Sequence, residues 1–231
     1  MRVLMAVLTG VAMQLAAHAQ NAEQLMERAR MGAVLQNADL NGKVSGPGGK
    51  TPVALFLKGE NIQFQFQQNG QWVPFHMRLG EGKFDLLEIK DGKTLRFPDA
   101  KLREAIAGSD ITYEDLALRF LYWPKPVIEG EERVGTHSCW KVRVNNPGRD
   151  GAYALMYVWI HKEFGAFMKV EGFDRAGRRI KRFEVESVMK LPDGSYTLRE
   201  MKVSTMDGDR RSSSSKLEFD KPTRRAPLGP R

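Results

Sequence analysis

Side chains able to act as nucleophiles, bases or metal ligands are sparse in this 231-residue chain. His137-Ser138-Cys139 is the only place where an imidazole and a thiol stand close in sequence. On a strand, residues i and i+2 share a face, which leaves open the thiolate–imidazole contact of a thiol-dependent enzyme. The plainer alternative is a strand cysteine packed beside Trp140, with no third residue to orient the histidine. As the single cysteine, Cys139 excludes an internal disulfide and a four-cysteine zinc site. His76, His137 and His161 lie far apart without metal-ligand spacing, and His161-Lys162-Glu163 lacks the helical HExxH arrangement. No metal and no cofactor is therefore expected. Glu129, Glu131 and Glu132 cluster as carboxylates on a solvated face do. Gly49-Lys50-Thr51 looks like the end of a phosphate-binding loop, but Val44 occupies the position of the leading glycine. Pro52 and a strand follow in place of a helix, so no helix N-terminus is available for a phosphate.

The first residues set a compartment. Met1-Arg2 carries positive charge, Val3 to Ala17 is apolar apart from Thr9, Gly10 and Gln14, and Ala17-His18-Ala19 places small residues before Gln20. That order is a secretory signal peptide over residues 1–19, and its apolar run is shorter than the ~20 residues of a membrane span. No cysteine follows the cleavage site, which argues against a lipid anchor. The expected protein is soluble, exported and periplasmic.

Lysine and arginine outnumber the acidic residues 36 to 28, for a formal net charge of +8. The densest basic run, Arg175, Arg178, Arg179, Lys181 and Arg182, surrounds the turn at 174–177, with Phe173 and Phe183 alongside. Stacking on nucleic acid is one reading, but an exported protein seldom meets nucleic acid. Peripheral contact with an anionic membrane is a second. A solvated hairpin edge that resists edge-to-edge pairing is the third.

Around these residues the apolar pattern dictates the elements. Ala22, Leu25, Met26, Ala29 and Ala33 recur at helical spacing behind an Asn21 cap, and Asn41-Gly42 is expected to end that helix or start the next turn. From Pro52 the period becomes two, as in Ile62, Phe64 and Phe66 alternating with glutamines. Similar alternation marks 53–57, 72–79, 141–144, 183–186, 196–201 and 217–219. Six Asn-Gly or Asp-Gly pairs, at 41–42, 69–70, 91–92, 150–151, 193–194 and 207–208, are expected hairpin corners. Two helices interrupt the meander: one over 99–107 closed by Gly108, and one capped by Thr112 with Asp115 at its third position and stopped by Pro124 and Pro126. Residues 207–216, with four serines, are expected to form a long mobile hairpin loop, and 221–231 a disordered tail.

The fold class is thus α+β: one curved antiparallel sheet with helices over its concave face. The strands carry more large side chains than one sheet needs for its core. Phe56, Phe64, Phe66, Trp72, Phe75, Trp159, Phe167 and Phe183, with Leu116 and Phe120 from the second helix, are the candidate lining of an apolar cavity. Such a cavity suits an acyl chain, held by burial at roughly 25 cal/mol per Å². If the cavity is closed, the same residues are plain core.

The run Gly108-Ser109-Asp110-Ile111-Thr112-Tyr113-Glu114-Asp115-Leu116 resembles a segment typical of the outer-membrane lipoprotein-sorting proteins of the LolA-like superfamily. Glu129 to Gly135, Cys139 to Val142, Tyr157 to Glu163 and Lys169 to Gly177 follow that family's next strands in order and spacing. His161 departs from the pattern, standing where such proteins often carry an acidic residue after a Trp-Ile pair. The resemblance implies a half-open antiparallel β-barrel lidded by helices, over one domain at 20–220. It also implies a non-enzymatic periplasmic carrier of lipid or lipoprotein acyl chains, with an inner-membrane exporter and an outer-membrane acceptor as candidate partners. The alternatives are an envelope sensor or interaction module with a closed core, and the thiol-dependent enzyme.

Overall fold

Alternating apolar and polar residues can bury one face of a strand only if the strands pair into a sheet with a dry side. The computed structural model, which describes residues 22–32, 37–59, 61–80, 83–90, 93–192 and 194–222, pairs thirteen strands in this way. The signal segment 1–19, Ala33, Asp91-Gly92, Asp193 and tail residues 223–231 lie outside the described residues.

Helix α1 spans 22–32 and buries Ala22, Leu25, Met26 and Ala29 at the expected spacing. A first meander follows, with β1 (Asn37–Gly46), β2 (Gly49–Lys58), β3 (Asn61–Gln68), β4 (Gln71–Gly80), β5 (Lys83–Lys90) and β6 (Lys93–Arg96). After a connecting segment over 97–126 comes the second: β7 (Val127–Val134), β8 (His137–Asn145), β9 (Leu155–His161), β10 (Phe167–Phe173), β11 (Arg179–Lys190), β12 (Tyr196–Asp207) and β13 (Arg210–Phe219). Every pairing is between sequence neighbours except one: β1 pairs β13, with Val44 opposite Leu217. The sheet is therefore two meanders joined at its middle. β6 and β7 form its two edges and do not pair with each other. It is a large, curved, unclosed antiparallel sheet, the shape of a half-open barrel. Register shifts that bend strands occur in β7, β10, β11 and β12, all in the second meander.

The turns explain part of this regularity. Asn69 and Gly70 both have left-handed backbones, φ 52° and 77°, and join β3 to β4 with Gln68 opposite Gln71. That is the tight-hairpin geometry expected of Asn-Gly. Asn41-Gly42 is different: it lies inside β1 and turns nothing. A Cβ at Gly42 would run into the Glu218 carbonyl, so the glycine allows β1 and β13 to approach. Residues 207–216 are likewise not a loop. β12 reaches Asp207, and Gly208-Asp209 turns directly into β13. The serines there are strand residues, and two of them hold a buried carboxylate described below.

The connecting segment has to travel from one sheet edge to the other. Its expected first helix is two short 3₁₀ turns, Asp99–Arg103 and Ile106–Gly108, because Glu104 is extended and Ala107 is left-handed at φ 50°. Helix α2 (Tyr113–Ala117) starts at Thr112 with the expected reciprocal cap, Asp115 N–H to Thr112 Oγ1 at 3.3 Å and Thr112 N–H to Asp115 Oδ2 at 2.9 Å. Leu118, at φ 48°, ends it after five residues, and a 3₁₀ turn over Arg119–Tyr122 completes the path. Tyr113 packs on Phe66, Phe75 and Phe97 with ring centroids 5.9, 5.3 and 4.9 Å apart, which fixes the segment to β3 and β4.

Candidate functional site

The inner face of the sheet and residues of α1 and the connecting segment line a half-open cavity of about 200 Å³. Strands contribute Leu55 and Leu57 from β2, Ile62 and Phe64 from β3, and Leu198, Met201 and Leu217 from the second meander. The connecting segment adds Leu116, Leu118 and Leu121, and α1 adds Ala29. Among the described residues Asp115 is the one charged residue in this lining, and its oxygens are engaged. Oδ2 accepts from Thr112 N–H and lies 3.4 Å from Lys181 Nζ, while Oδ1 accepts from the Tyr153 hydroxyl. A carboxylate so occupied leaves the cavity wall effectively apolar.

The ten sequence candidates separate by strand parity. Phe64, Leu116 and Phe167 line the cavity. Phe66, Phe75, Phe120 and Phe183 point to the same side but are packed core, between 0% and 4% exposed. Phe56, Trp72 and Trp159 are corrections. On β2 the inward residues are Val53, Leu55 and Leu57, so Phe56 faces outward, where it lines a separate outer depression with Lys58, His76 and Arg78. Trp72 shares the parity of His76, opposite to that of Phe75. Trp159 alternates with the inward Val158 and Ile160. Its indole N–H donates to Glu132 Oε2 at 2.8 Å, and the Lys169 ammonium sits 3.8 Å from its ring centroid. Aromatic enrichment marked these strands but not which face each ring takes. The outer depression is larger, about 360 Å³, but its wall mixes Asp39, Lys58, His76 and Arg78 with apolar side chains, which gives no basis for holding a hydrocarbon.

Sequence reasoning missed the residues that anchor the connecting segment. Asp110, 7% exposed, accepts hydrogen bonds from Thr205 Oγ1 at 2.6 Å, Ser215 Oγ at 2.8 Å and Ser213 Oγ. Lys181 Nζ donates to the Asp110 carbonyl at 2.6 Å. Burial raises the Asp110 pKa, but those hydroxyls and the Lys181 charge outweigh it and hold the carboxyl below its ordinary range. Glu114 receives the Ala152 N–H at 2.7 Å, yet burial dominates and pushes its pKa up to about 7. Gly151, at φ +74°, leaves room for that carboxylate, which a Cβ would overlap. The signal that could have found these residues is the Ser-Asp-Ile-Thr-Tyr-Glu-Asp run itself, whose polar residues have no place in an apolar segment unless paired.

The thiol–imidazole pairing does not form. Cys139 is fully buried, its Sγ directed 3.8 Å to the His137 carbonyl, and burial raises its pKa. His137 Nδ1 instead meets His161 Nε2 at 3.2 Å, while His161 Nδ1 accepts from the Glu163 and Phe164 N–H groups. The two histidines distant in sequence are thus neighbours, but among the described residues no group of three or more His, Cys, Asp or Glu is placed to hold a metal. The basic run is largely internally paired: Arg178 with Asp174, Arg179 with Glu171 and Asp209, and Lys181 buried on Asp110.

A family model described as "-like: Uncharacterized protein" matches residues 90–230. The chain belongs to that family. No curated protein matches the sequence. Among solved structures, a DUF1329 family protein from Desulfovibrio piger is similar at a TM-score of 0.67 and 15% identity, over 88% of this chain and 91% of the other. A domain from Vibrio parahaemolyticus, named for outer membrane lipoprotein sorting, matches at 0.66 and 14% identity, over 88% and 92%. A LolA superfamily protein from Nitrosomonas europaea matches at 0.63 and 13%, over 87% and 91%. The fold is LolA-like, as the 108–177 segments led us to expect. Among the described residues no helix is long and apolar enough to cross a membrane.

Proposed function

We propose that this protein is a periplasmic, non-enzymatic carrier that holds lipid or lipoprotein acyl chains, exported by its signal segment and serving outer-membrane sorting or lipid export. The observation that carries this reading is the cavity between Phe64 and Leu116, whose wall is mostly Leu, Ile, Val, Met and Phe, with a compensated Asp115 and only Thr197, Tyr122 and Tyr196 adding polar atoms. An acyl chain placed there exchanges water contact for Leu, Ile and Phe side chains and needs no directional partner. Helix α1 and the connecting segment act as its cover in this reading, and their movement releases cargo to a membrane partner. The LolA-like neighbours support a carrier of this class.

The test is native mass spectrometry and organic extraction of protein purified from its own host, followed by titration of delipidated protein with a fluorescent fatty acid. Co-purifying lipid and saturable uptake, reduced by L116W filling the cavity, are the expected results. A protein with no lipid and no uptake overturns the proposal.

A second reading, an envelope interaction module with a closed core, draws on Phe66, Phe75, Phe120 and Phe183, all buried in the core. Under it, Phe64→Ala lowers stability by about 3–5 kcal/mol, as for Phe66→Ala, with no separate effect on a ligand.

A further inference from the structure

We infer that the mouth of the cavity is a membrane-docking lip that seats on an anionic lipid surface. The inference deepens the carrier reading and rests on it for its purpose. Val188 and Tyr196 line the cavity and are nevertheless 53% and 62% exposed, so the cavity opens to solvent at the paired ends of β11 and β12. Two more large apolar side chains stand next to other parts of the same lining. Phe164 is 74% exposed, two residues before cavity-lining Ala166, and Met31 is 46% exposed, two residues after cavity-lining Ala29. The β9–β10 turn and α1 are themselves in contact, since a Cβ at Gly165 would lie 3.1 Å from Arg28 Cβ. Four of the exposed large apolar residues thus stand on β11, β12, the β9–β10 turn and α1, two lining the opening and two beside other parts of the lining.

Single exposed apolar residues are ordinary, but several gathered on one rim mark an interaction site. The turn is built to present its phenylalanine. His161 Nδ1 accepts from both Glu163 and Phe164 N–H, and the His161 ring packs on the Phe164 ring at 4.7 Å between centroids. Arg28 on α1 and Lys190 at the end of β11 are both exposed beside these elements, within a chain of net charge +8. Protruding aromatic and aliphatic groups with Arg28 and Lys190 among their neighbours, although Glu27 and Glu163 are exposed there too, match a bilayer interface with anionic headgroups. An opening pressed to such a surface lets an acyl chain pass between bilayer and cavity without crossing water.

The experiment is co-sedimentation of the full mature chain with phosphatidylglycerol-containing vesicles and with pure phosphatidylcholine vesicles. In parallel, uptake of monomeric fluorescent fatty acid from solution is measured. We expect binding to the anionic vesicles that weakens with salt, a loss of at least tenfold in F164S/M31S, and fatty-acid uptake unchanged in that variant. R28E/K190E should remove the salt-dependent part. Wild-type protein that binds no vesicle, or a double variant that binds as wild type does, overturns the lip. Vesicle binding without any fatty-acid uptake would refute the carrier function while leaving the lip standing.

Discussion

Glu114 offers a sharp test of the buried hydrogen-bond network that holds the connecting segment. Its side chain is on a residue only 5% exposed, and burial pushes its pKa from 4.5 to about 7, with the neighbouring Asp115 charge acting in the same direction. The Ala152 N–H, Arg119 and Arg103 oppose the shift without cancelling it. The folded chain therefore holds this proton more tightly than the unfolded chain. The resulting stability is fully present below pH 4.5 and is lost as the pH rises through 7. Two and a half units at about 1.4 kcal/mol each amount to ~3.5 kcal/mol. Glu114→Gln keeps an oxygen acceptor for the Ala152 N–H and removes the ionisation. Urea unfolding of both proteins at pH 5, 6.5 and 8 reads the effect. The Gln variant should gain on wild type as pH rises, by about 2–3 kcal/mol at pH 8. A difference that stays flat with pH, or that grows in favour of wild type, refutes the assignment.

Other consequences follow from the same geometry. Cavity space of about 200 Å³ holds roughly seven methylene-sized groups at ~30 Å³ each. Fatty-acid affinity measured by fluorescence displacement should therefore rise about fourfold per methylene, at ~0.8 kcal/mol each, and then level off. A rise that continues through long chains would mean that the cavity enlarges on binding. Asp110→Ala removes the acceptor of Thr205, Ser213 and Ser215 and the negative charge facing Lys181, so chemical denaturation should show a loss of about 3 kcal/mol. Cys139, buried and with its thiol pKa raised, should resist iodoacetamide at pH 7.5 in the folded protein and react on addition of urea. Rapid alkylation of the native chain would reopen the thiol-enzyme reading.

Much of the sheet was legible because period-two alternation is a local signal. β3 and β4 follow from Ile62, Phe64, Phe66 and the Asn69-Gly70 corner with nothing else needed. β5, β6 and β7 were harder, since edge and near-edge strands such as Lys93–Arg96 carry polar residues on both faces. Parity within a strand was legible in principle, yet Phe56 and Trp159 show why aromatic content misled. Both are large apolar residues buried on the outer side, where Lys169 and Glu132 cover Trp159. The serine-rich stretch at 207–216 looked like a loop because its hydroxyls had no visible partner. That partner, Asp110, lies about a hundred residues away in sequence, and no local pattern connects them.

The pairing of β1 with β13 has a kinetic consequence. Each meander is assembled almost wholly from neighbouring hairpins, which close short loops and form early. The contact of Val44 with Leu217 instead closes most of the chain, at an entropic cost of roughly 4–5 kcal/mol from the logarithm of that length alone. Two half-sheets should therefore accumulate before the seam between them zips. Severing the chain within 97–126 would then yield two fragments able to reassociate along β1 and β13, each exposing its seam strand until the other arrives.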